Sequence, residues 1–294
     1  MKVHVQYISL LDSRVVQLIC VHPFSMEEVS AAACTSVASS AQATAEVSVG
    51  DALKSVLDRI QRATKEHKDN RRSLSAPQLV AVSKTKPVEL ILEAYQAGQR
   101  HFGENYVKEF VDKSHNEKLV SLAPDICWHF IGHLQSNKCK QLIGAQGLCV
   151  VESISSERLA TTLNNACERC NERTEPLQVF VQVNTSGEEN KHGCAPPDCV
   201  GLARHIIEHC EQLKFCGLMT IGALARSRNQ DSNANEDFEC LVACREKVSQ
   251  ALSIPTDDIQ LSMGMTTDME QAIQHGSTNV RVGTAIFGSR TYCD

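Results

Sequence analysis

Short apolar runs alternate with amphipathic stretches along most of the chain, and this alternation predicts the fold. The strand-like runs are Leu79–Ser83, Arg100–Gly103, Trp128–Ile131, Cys149–Glu152, Gln178–Asn184, Phe215–Thr220, Gln260–Met263 and Asn279–Val282. Apolar residues recur at helical spacing in Val88–Ala97, Ser156–Arg173, Cys199–Cys210 and Asp237–Ala251. Eight strands that alternate with helices predict an α/β fold, a single parallel (β/α)8 TIM barrel.

The length of the repeating unit and one missing motif favour the barrel over an open sheet. The units between Leu79 and Val282 average about 25 residues, which suits a compact barrel. A doubly wound open sheet needs fewer strands and usually carries an early Gly-x-Gly-x-x-Gly turn, which the sequence lacks.

The first fifty residues have a different composition from the rest. Residues 30–50 are mostly Ala, Ser, Thr and Val without periodicity, so we expect 1–50 to be a disordered or weakly ordered extension and 51–294 to be the barrel. A helix is predicted over Asp51–Lys68. Residues 1–26 contain few basic side chains, so we expect a cytoplasmic protein, with mitochondrial import as the alternative.

Composition narrows the choice of partners. The net charge is −6 without blocks of like charge, so the chain has no electrostatic footprint for nucleic acid. No run of about 18 apolar residues predicts a membrane span. The 14 cysteines are scattered through apolar segments, and we expect them to be reduced and mostly buried. We also expect the protein to be a monomer.

A lysine at one strand end and a Gly-Thr turn at another form the candidate chemical site. Lys84 directly follows the first strand, where a deprotonated amine can attack an aldehyde, and Lys86 is its competitor. In the last strand, Arg281 alternates away from its valine neighbours toward the barrel mouth, and Gly283 and Thr284 follow it. These groups suit a phosphorylated aldehyde such as pyridoxal 5′-phosphate (PLP). A cofactor-free Schiff-base aldolase acting on a sugar phosphate remains an alternative.

Seven ordered motifs, which span roughly residues 51–292, carry a family resemblance. They are Val82–Pro87, Phe102–Tyr106, Trp128–Gln135, Asn184–Glu189, Gly217–Gly222, Leu261–Met265 and Gly276–Gly288. The set resembles the pyridoxal phosphate homeostasis protein family, also called PLP-binding proteins or proline synthetase co-transcribed homologues. The resemblance implies a barrel like the N-terminal domain of alanine racemase. It also implies PLP held as a Schiff base and a role in supplying the free cofactor safely.

The resemblance implies a carrier that hands PLP to apo-enzymes and has no catalytic residues or metal ligands. Lys84 would bond the cofactor, and Ser262, Gly283 and Thr284 would hold its phosphate. Arg281 would contact the phosphate or the pyridine nitrogen. Asn105 either faces the cofactor's 3′ oxygen or caps a helix. An amino-acid racemase or decarboxylase is the alternative function. We expect it to be excluded because the sequence stops soon after Thr284, before the β domain that racemases use.

Several other polar residues are predicted to be structural. His129 and His133, like His205 and His209, have a spacing that could bind metal, but their context favours structural roles. The Cys167-x-x-Cys170 motif lies within a helical pattern and predicts neither redox nor zinc chemistry. Lys191 is predicted to be solvated near the mouth, where it could take up aldehyde transiently. The polar loop over residues 223–236 has no assigned role.

Overall fold

Eight parallel strands close into a barrel in which each strand pairs with its sequence neighbour and β8 pairs with β1. This computed structural model describes residues 48–66, 76–170, 173–189, 191–223 and 234–289. The strands are β1 Gln78–Val82, β2 His101–Glu104, β3 Cys127–Phe130, β4 Leu148–Ile154, β5 Leu177–Gln182, β6 Leu213–Met219, β7 Gln260–Ser262 and β8 Asn279–Val282. The predicted (β/α)8 barrel is confirmed, including all eight predicted strands.

Helices follow the strands and form the outer layer. In the described part of the chain they are α1 Val49–Glu66, α2 Val88–Gln96, α3 Val107–Ser114, α4 Glu117–Leu122, α5 Cys139–Ile143, α6 Glu157–Glu168, α7 Cys199–His209, α8 Glu236–Leu252, α9 Met269–Gln274 and α10 Thr284–Phe287. Helix α1 precedes the barrel and buries Leu53, Val56 and Ile60, whose spacing places them on one face. Side chains of Asn116 and Ser156 accept from first-turn amides and so fix where α4 and α6 begin.

Helix boundaries are where the sequence prediction was least accurate. Helix α1 begins at Val49, two residues before the predicted start, and α6 ends at Glu168, short of the predicted Arg173. A helix was predicted after each strand except possibly the last, but no bounds were given for α3, α4, α5, α9 and α10. Each is too short for its apolar spacing to stand out from a loop.

The described cysteines are unbridged. All eleven of them are free, and none is exposed, as expected for reduced thiols. Burial raises the pKa of Cys167 to about 11, which makes its thiol unreactive near neutral pH. Cys167 therefore packs into the core beside Cys170, consistent with the structural role predicted for this motif.

No helix within the described ranges is long and apolar enough to cross a membrane. The predictions for the N-terminal extension up to residue 47, and for residues 224–233 of the polar loop, lie outside the described residues.

Candidate functional site

A tight turn places Lys84 at the carboxyl end of β1. The Lys86 N–H donates to the Ser83 carbonyl at 3.1 Å, which closes a β-turn with Lys84 and Thr85 at its centre. Thr85 has a φ of 60°, in the left-handed region that β-branched residues rarely adopt. Its N–H donates to Glu109 Oε1 at 2.5 Å. Strain of this kind persists only where the surroundings enforce it, and it marks the turn as a functional candidate.

A buried ion pair between Lys113 and Glu104 contacts the start of this turn. Lys113 Nζ donates to Glu104 Oε1, to Glu109 Oε1 and to the Ser83 carbonyl, at 2.7, 2.7 and 2.8 Å. The Lys113 side chain is 9% exposed and the Glu104 side chain is fully buried. Burial raises the pKa of Glu104, and the charge of Lys113 opposes that effect. The sequence analysis missed this network, although a glutamate at the end of a buried apolar strand was a signal for it.

Lys86, the alternative to Lys84, bonds to the segment that follows α10. Lys86 Nζ donates to the Ser289 carbonyl at 2.7 Å, beyond the end of α10, and partial burial lowers the pKa of Lys86. Lys84 is half-buried at the centre of the turn. The two lysines therefore differ in position, although they are only two residues apart.

The start of α10 lies directly beside the β1 turn. Strands β1 and β8 pair Ala81 with Val282, so the following residue Gly283 is opposite Val82. A Cβ at Gly283 would lie 3.2 Å from the Val82 carbonyl oxygen, which leaves little room for any other residue. Thr284 begins α10, and the first amides of a helix have no acceptor within it. The adjacent strand ends thus bring Lys84 close to backbone donors and a hydroxyl.

Arg281 reaches across the barrel interior from β8. Its Nη1 donates to Ser262 Oγ at 2.5 Å and its Nη2 to the Thr220 carbonyl at 2.7 Å. Ser262 Oγ in turn donates to Glu152 Oε2 at 2.5 Å, and Arg281 Nη1 lies 4.0 Å from the same oxygen. Arg281 is only 4% exposed, and its contacts with Ser262, Thr220 and Glu152 hold the guanidinium in one place.

The network continues from Glu152 toward the opposite end of the barrel. Glu152 Oε1 lies 2.7 Å from His129 Nδ1, and His129 Nε2 lies 2.9 Å from His101 Nδ1. Burial alone would raise the pKa of Glu152, but His129, Arg281 and Ser262 outweigh it and hold that pKa below its ordinary value. Burial lowers the pKa of Arg281, and Glu152 counteracts that shift. A carboxylate therefore balances the guanidinium inside the barrel.

Asn105 follows β2 and lies against the end of β3. Its Oδ1 is buried without a hydrogen-bond partner among the described residues. A Cβ at Gly132 would lie 1.9 Å from the Asn105 carbonyl oxygen, so only glycine permits this approach. The side chain of Asn105 caps no helix: α3 begins after Tyr106, and no side-chain cap bond is made there. The helix-cap interpretation of Asn105 is therefore wrong. A buried acceptor without a partner needs an explanation, and a bound ligand is one such explanation.

Lys191 is not the solvated lysine that the sequence predicted. Its side chain is 20% exposed, and Nζ donates to the Gly222 carbonyl at 2.8 Å and pairs with Glu188. The lysine therefore ties the loop after β5 to the loop after β6. The ring of His192 in the same loop stacks on His133 with centroids 3.6 Å apart.

The histidine pairs spaced by four do not converge on common sites. His133 stacks on His192, whereas His129 faces Glu152 and His101. His205 Nε2 lies 2.8 Å from Thr161 Oγ1, and the His205 and His209 rings are 5.3 Å apart at their centroids. His129 and His133 thus have different partners, and His205 bonds to a residue outside its pair.

Comparisons with known proteins show which family this chain resembles. The family model for the alanine racemase N-terminal domain matches residues 56–291. The pyridoxal phosphate homeostasis protein of Homo sapiens is 45% identical over 248 residues, covering 84% of this chain and 89% of that protein. The corresponding Haemophilus influenzae protein is 42% identical, covering 82% and 95%.

A solved protein structure is also similar to the structure of this chain. PipY of Synechococcus elongatus, solved with PLP bound, superimposes with a TM-score of 0.63 at 29% identity and covers 82% of this chain and all of that one. Sequence identity, coverage and the closed barrel lead to one conclusion. The chain belongs to the pyridoxal phosphate homeostasis protein family, within the alanine racemase N-terminal domain fold.

Proposed function

We propose that this chain binds PLP at the carboxyl end of its barrel and carries it, without turnover of amino acids, to maintain the cellular supply of the cofactor. The proposal rests mainly on one observation. The Lys84 turn follows β1, and it lies beside Gly283 and Thr284, which follow the neighbouring strand β8. The names of the relatives, and the PLP bound in PipY, support it.

The residues present fit the cofactor. PLP supplies an aldehyde that an amine can bond as a Schiff base, together with a phosphate and an aromatic ring. Lys84 provides the amine, and Gly283 and Thr284 provide amide and hydroxyl donors for the phosphate. The buried Asn105 Oδ1, which has no hydrogen-bond partner in the described part of the chain, faces the remaining polar edge of the cofactor in this proposal.

Arg281 would limit the reactivity of the pyridine ring of PLP. Among the described residues, Arg281 uses two of its five N–H donors on Ser262 and Thr220, which leaves others for a ligand. A fixed cation facing the pyridine nitrogen keeps that nitrogen unprotonated and weakens the electron sink that amino-acid chemistry needs. A weakened sink favours a carrier over an enzyme.

Ser262 belongs to the same corner but has a competing partner. Its hydroxyl donates to Glu152 Oε2 at 2.5 Å and accepts from Arg281. A hydroxyl has one proton to donate, so Glu152 competes with the cofactor phosphate for it. We therefore assign most of the phosphate binding to Gly283 and Thr284, with Ser262 as an additional partner, and assign Arg281 to the pyridine nitrogen.

Loss of the Thr284 hydroxyl should weaken PLP binding. A hydrogen bond to a charged group contributes about 1.5–3 kcal/mol, so Thr284→Val should raise the dissociation constant for PLP by roughly 10- to 150-fold. Pyridoxal, which lacks the phosphate, should bind weakly to both proteins. Fluorescence or absorbance titrations of each ligand measure the effect.

The matched control is Thr162→Val, because the Thr162 hydroxyl donates only within α6, to the Arg158 carbonyl at 2.7 Å. It should leave PLP affinity unchanged. Equal affinities of the wild-type protein for PLP and pyridoxal would overturn the phosphate assignment.

The carrier role predicts transfer of PLP without turnover. Protein loaded with PLP should exchange the α-proton of common L- and D-amino acids no faster than free PLP, as followed by NMR in deuterated buffer. The same protein should restore activity to an apo-enzyme that depends on PLP.

Exchange that requires Lys84 and exceeds free PLP by about 10⁶-fold would identify a racemase-like enzyme, because enzymes reach accelerations of that size. If the protein instead retains PLP and activates no acceptor, the delivery role is wrong.

A further inference from the structure

We propose that His101, Cys127 and His129 form a Zn²⁺ site at the amino end of the barrel, opposite the Lys84 turn. His101 begins β2 and Cys127 begins β3, and parallel pairing places the two residues side by side. His129 is two residues beyond Cys127 on β3, so both side chains share one face of the strand. Three metal-binding side chains thus come from two adjacent strands.

The distances suit a small tetrahedral ion. One ligand atom from each of the three residues lies within 4.8 Å of the others. His101 Nδ1 and His129 Nε2 are 2.9 Å apart. Zinc bonds of about 2.0–2.1 Å to nitrogen and 2.3 Å to sulfur require ligand separations of roughly 3.3–3.6 Å. The imidazoles need to separate by only a few tenths of an ångström.

A buried carboxylate orients one of the ligands. Glu152 Oε1 lies 2.7 Å from His129 Nδ1, which directs Nε2 of the same ring toward His101 and Cys127. Glu152 is fully buried and is itself held by Ser262. Metal-binding histidines commonly donate their second nitrogen to a carboxylate in this way, which fixes the tautomer. His129 therefore has the supporting carboxylate that metal-binding histidines commonly have.

The site has an entry path. A cavity of about 480 Å³ opens at this end of the barrel and is lined by all three proposed ligands. Gln178, Gln260 and Asn279 contribute polar groups to the same cavity. Three protein ligands and an open fourth position for water describe a zinc site of the open type.

The ligand set selects the metal. Two imidazoles and one thiolate favour Zn²⁺ over Mg²⁺ or Ca²⁺, which prefer oxygen ligands. The histidines bind as neutral rings, and the Cys127 thiol releases one proton to solvent for each Zn²⁺ bound. The ion would bridge β2 and β3, and its open fourth position would face the cavity.

Cobalt binding tests the site in the full-length protein. After removal of metals and reduction with a phosphine, the protein should bind one Co²⁺ with a thiolate charge-transfer band and the visible bands of four-coordinate cobalt. Zn²⁺ should displace it. Cys127→Ser should abolish the charge-transfer band and weaken Zn²⁺ binding by at least about 100-fold, and His101→Gln should weaken it by about 10- to 100-fold.

Two cysteine variants and the cofactor reaction serve as controls. Cys170→Ser, a half-buried cysteine at the end of α6, should leave the cobalt spectrum unchanged. Cys149→Ser should retain it as well, because the Cys149 thiol donates to the Gly147 carbonyl at 3.4 Å and is outside the proposed ligand set. Cys127→Ser should still react with PLP, so this test is independent of the carrier proposal.

The site is refuted by absence of Co²⁺ binding in the wild-type protein, or by a charge-transfer band that persists in Cys127→Ser. Loss of the band in Cys149→Ser would overturn the three-ligand set.

Discussion

Lys84→Ala should abolish the visible absorption that the wild-type protein acquires when it is mixed with PLP. The expected loss is complete, because in this proposal Lys84 supplies the amine that bonds the aldehyde. Reduction with borohydride, proteolysis and mass spectrometry should locate the wild-type adduct on the peptide that contains Lys84. Circular dichroism should show that the variant remains folded, because Lys84 is at the barrel mouth and not in the core.

Lys86→Ala is the matched control. Lys86 is on the same turn, but its amine is committed to the Ser289 carbonyl at 2.7 Å. This variant should keep both the absorption and the reduced adduct. If Lys86→Ala loses the adduct while Lys84→Ala retains it, the role passes to Lys86. An adduct mapped to Lys191 would place the aldehyde in the loop after β5.

Lys113→Met should destabilise the protein more than the same substitution of the other lysine on α3. The substitution leaves Glu104 buried without its charged partner, and breaking such a pair costs about 3–5 kcal/mol. It also frees Glu109, which accepts from the Thr85 amide and so holds the turn that carries Lys84. The free energy of unfolding in urea should fall by that amount, and the reaction with PLP should slow.

Lys108→Met provides the comparison, because Lys108 is an exposed lysine on the same helix. It should change the free energy of unfolding by no more than about 0.5 kcal/mol. The double variant Lys113→Met with Glu104→Gln should recover part of the loss, because the uncompensated charge is then removed. Equal effects of Lys108→Met and Lys113→Met would show that the buried pair contributes nothing specific.

The predictable part of the site consists of residues next to strand ends. Lys84, Gly283 and Thr284 follow apolar runs directly, so local sequence places them at the carboxyl edge of a parallel barrel. The direction of Arg281 follows from strand alternation in the same way. The residues that support them could not be paired from sequence: Glu109 with Thr85, and Glu152 with Ser262, are separated by 24 and 110 positions.

The sequence by itself determined the number and order of strands, because buried parallel strands are continuous apolar runs and amphipathic helices repeat at 3.6 residues. It also determined the family, through motifs at the strand ends. Only the tertiary structure decided which polar groups meet inside the barrel. Closure of the sheet brings His101, His129, Glu152, Ser262 and Arg281 into one line of contacts. Such contacts depend on barrel register and side-chain direction, and neither is encoded in any one segment of the chain.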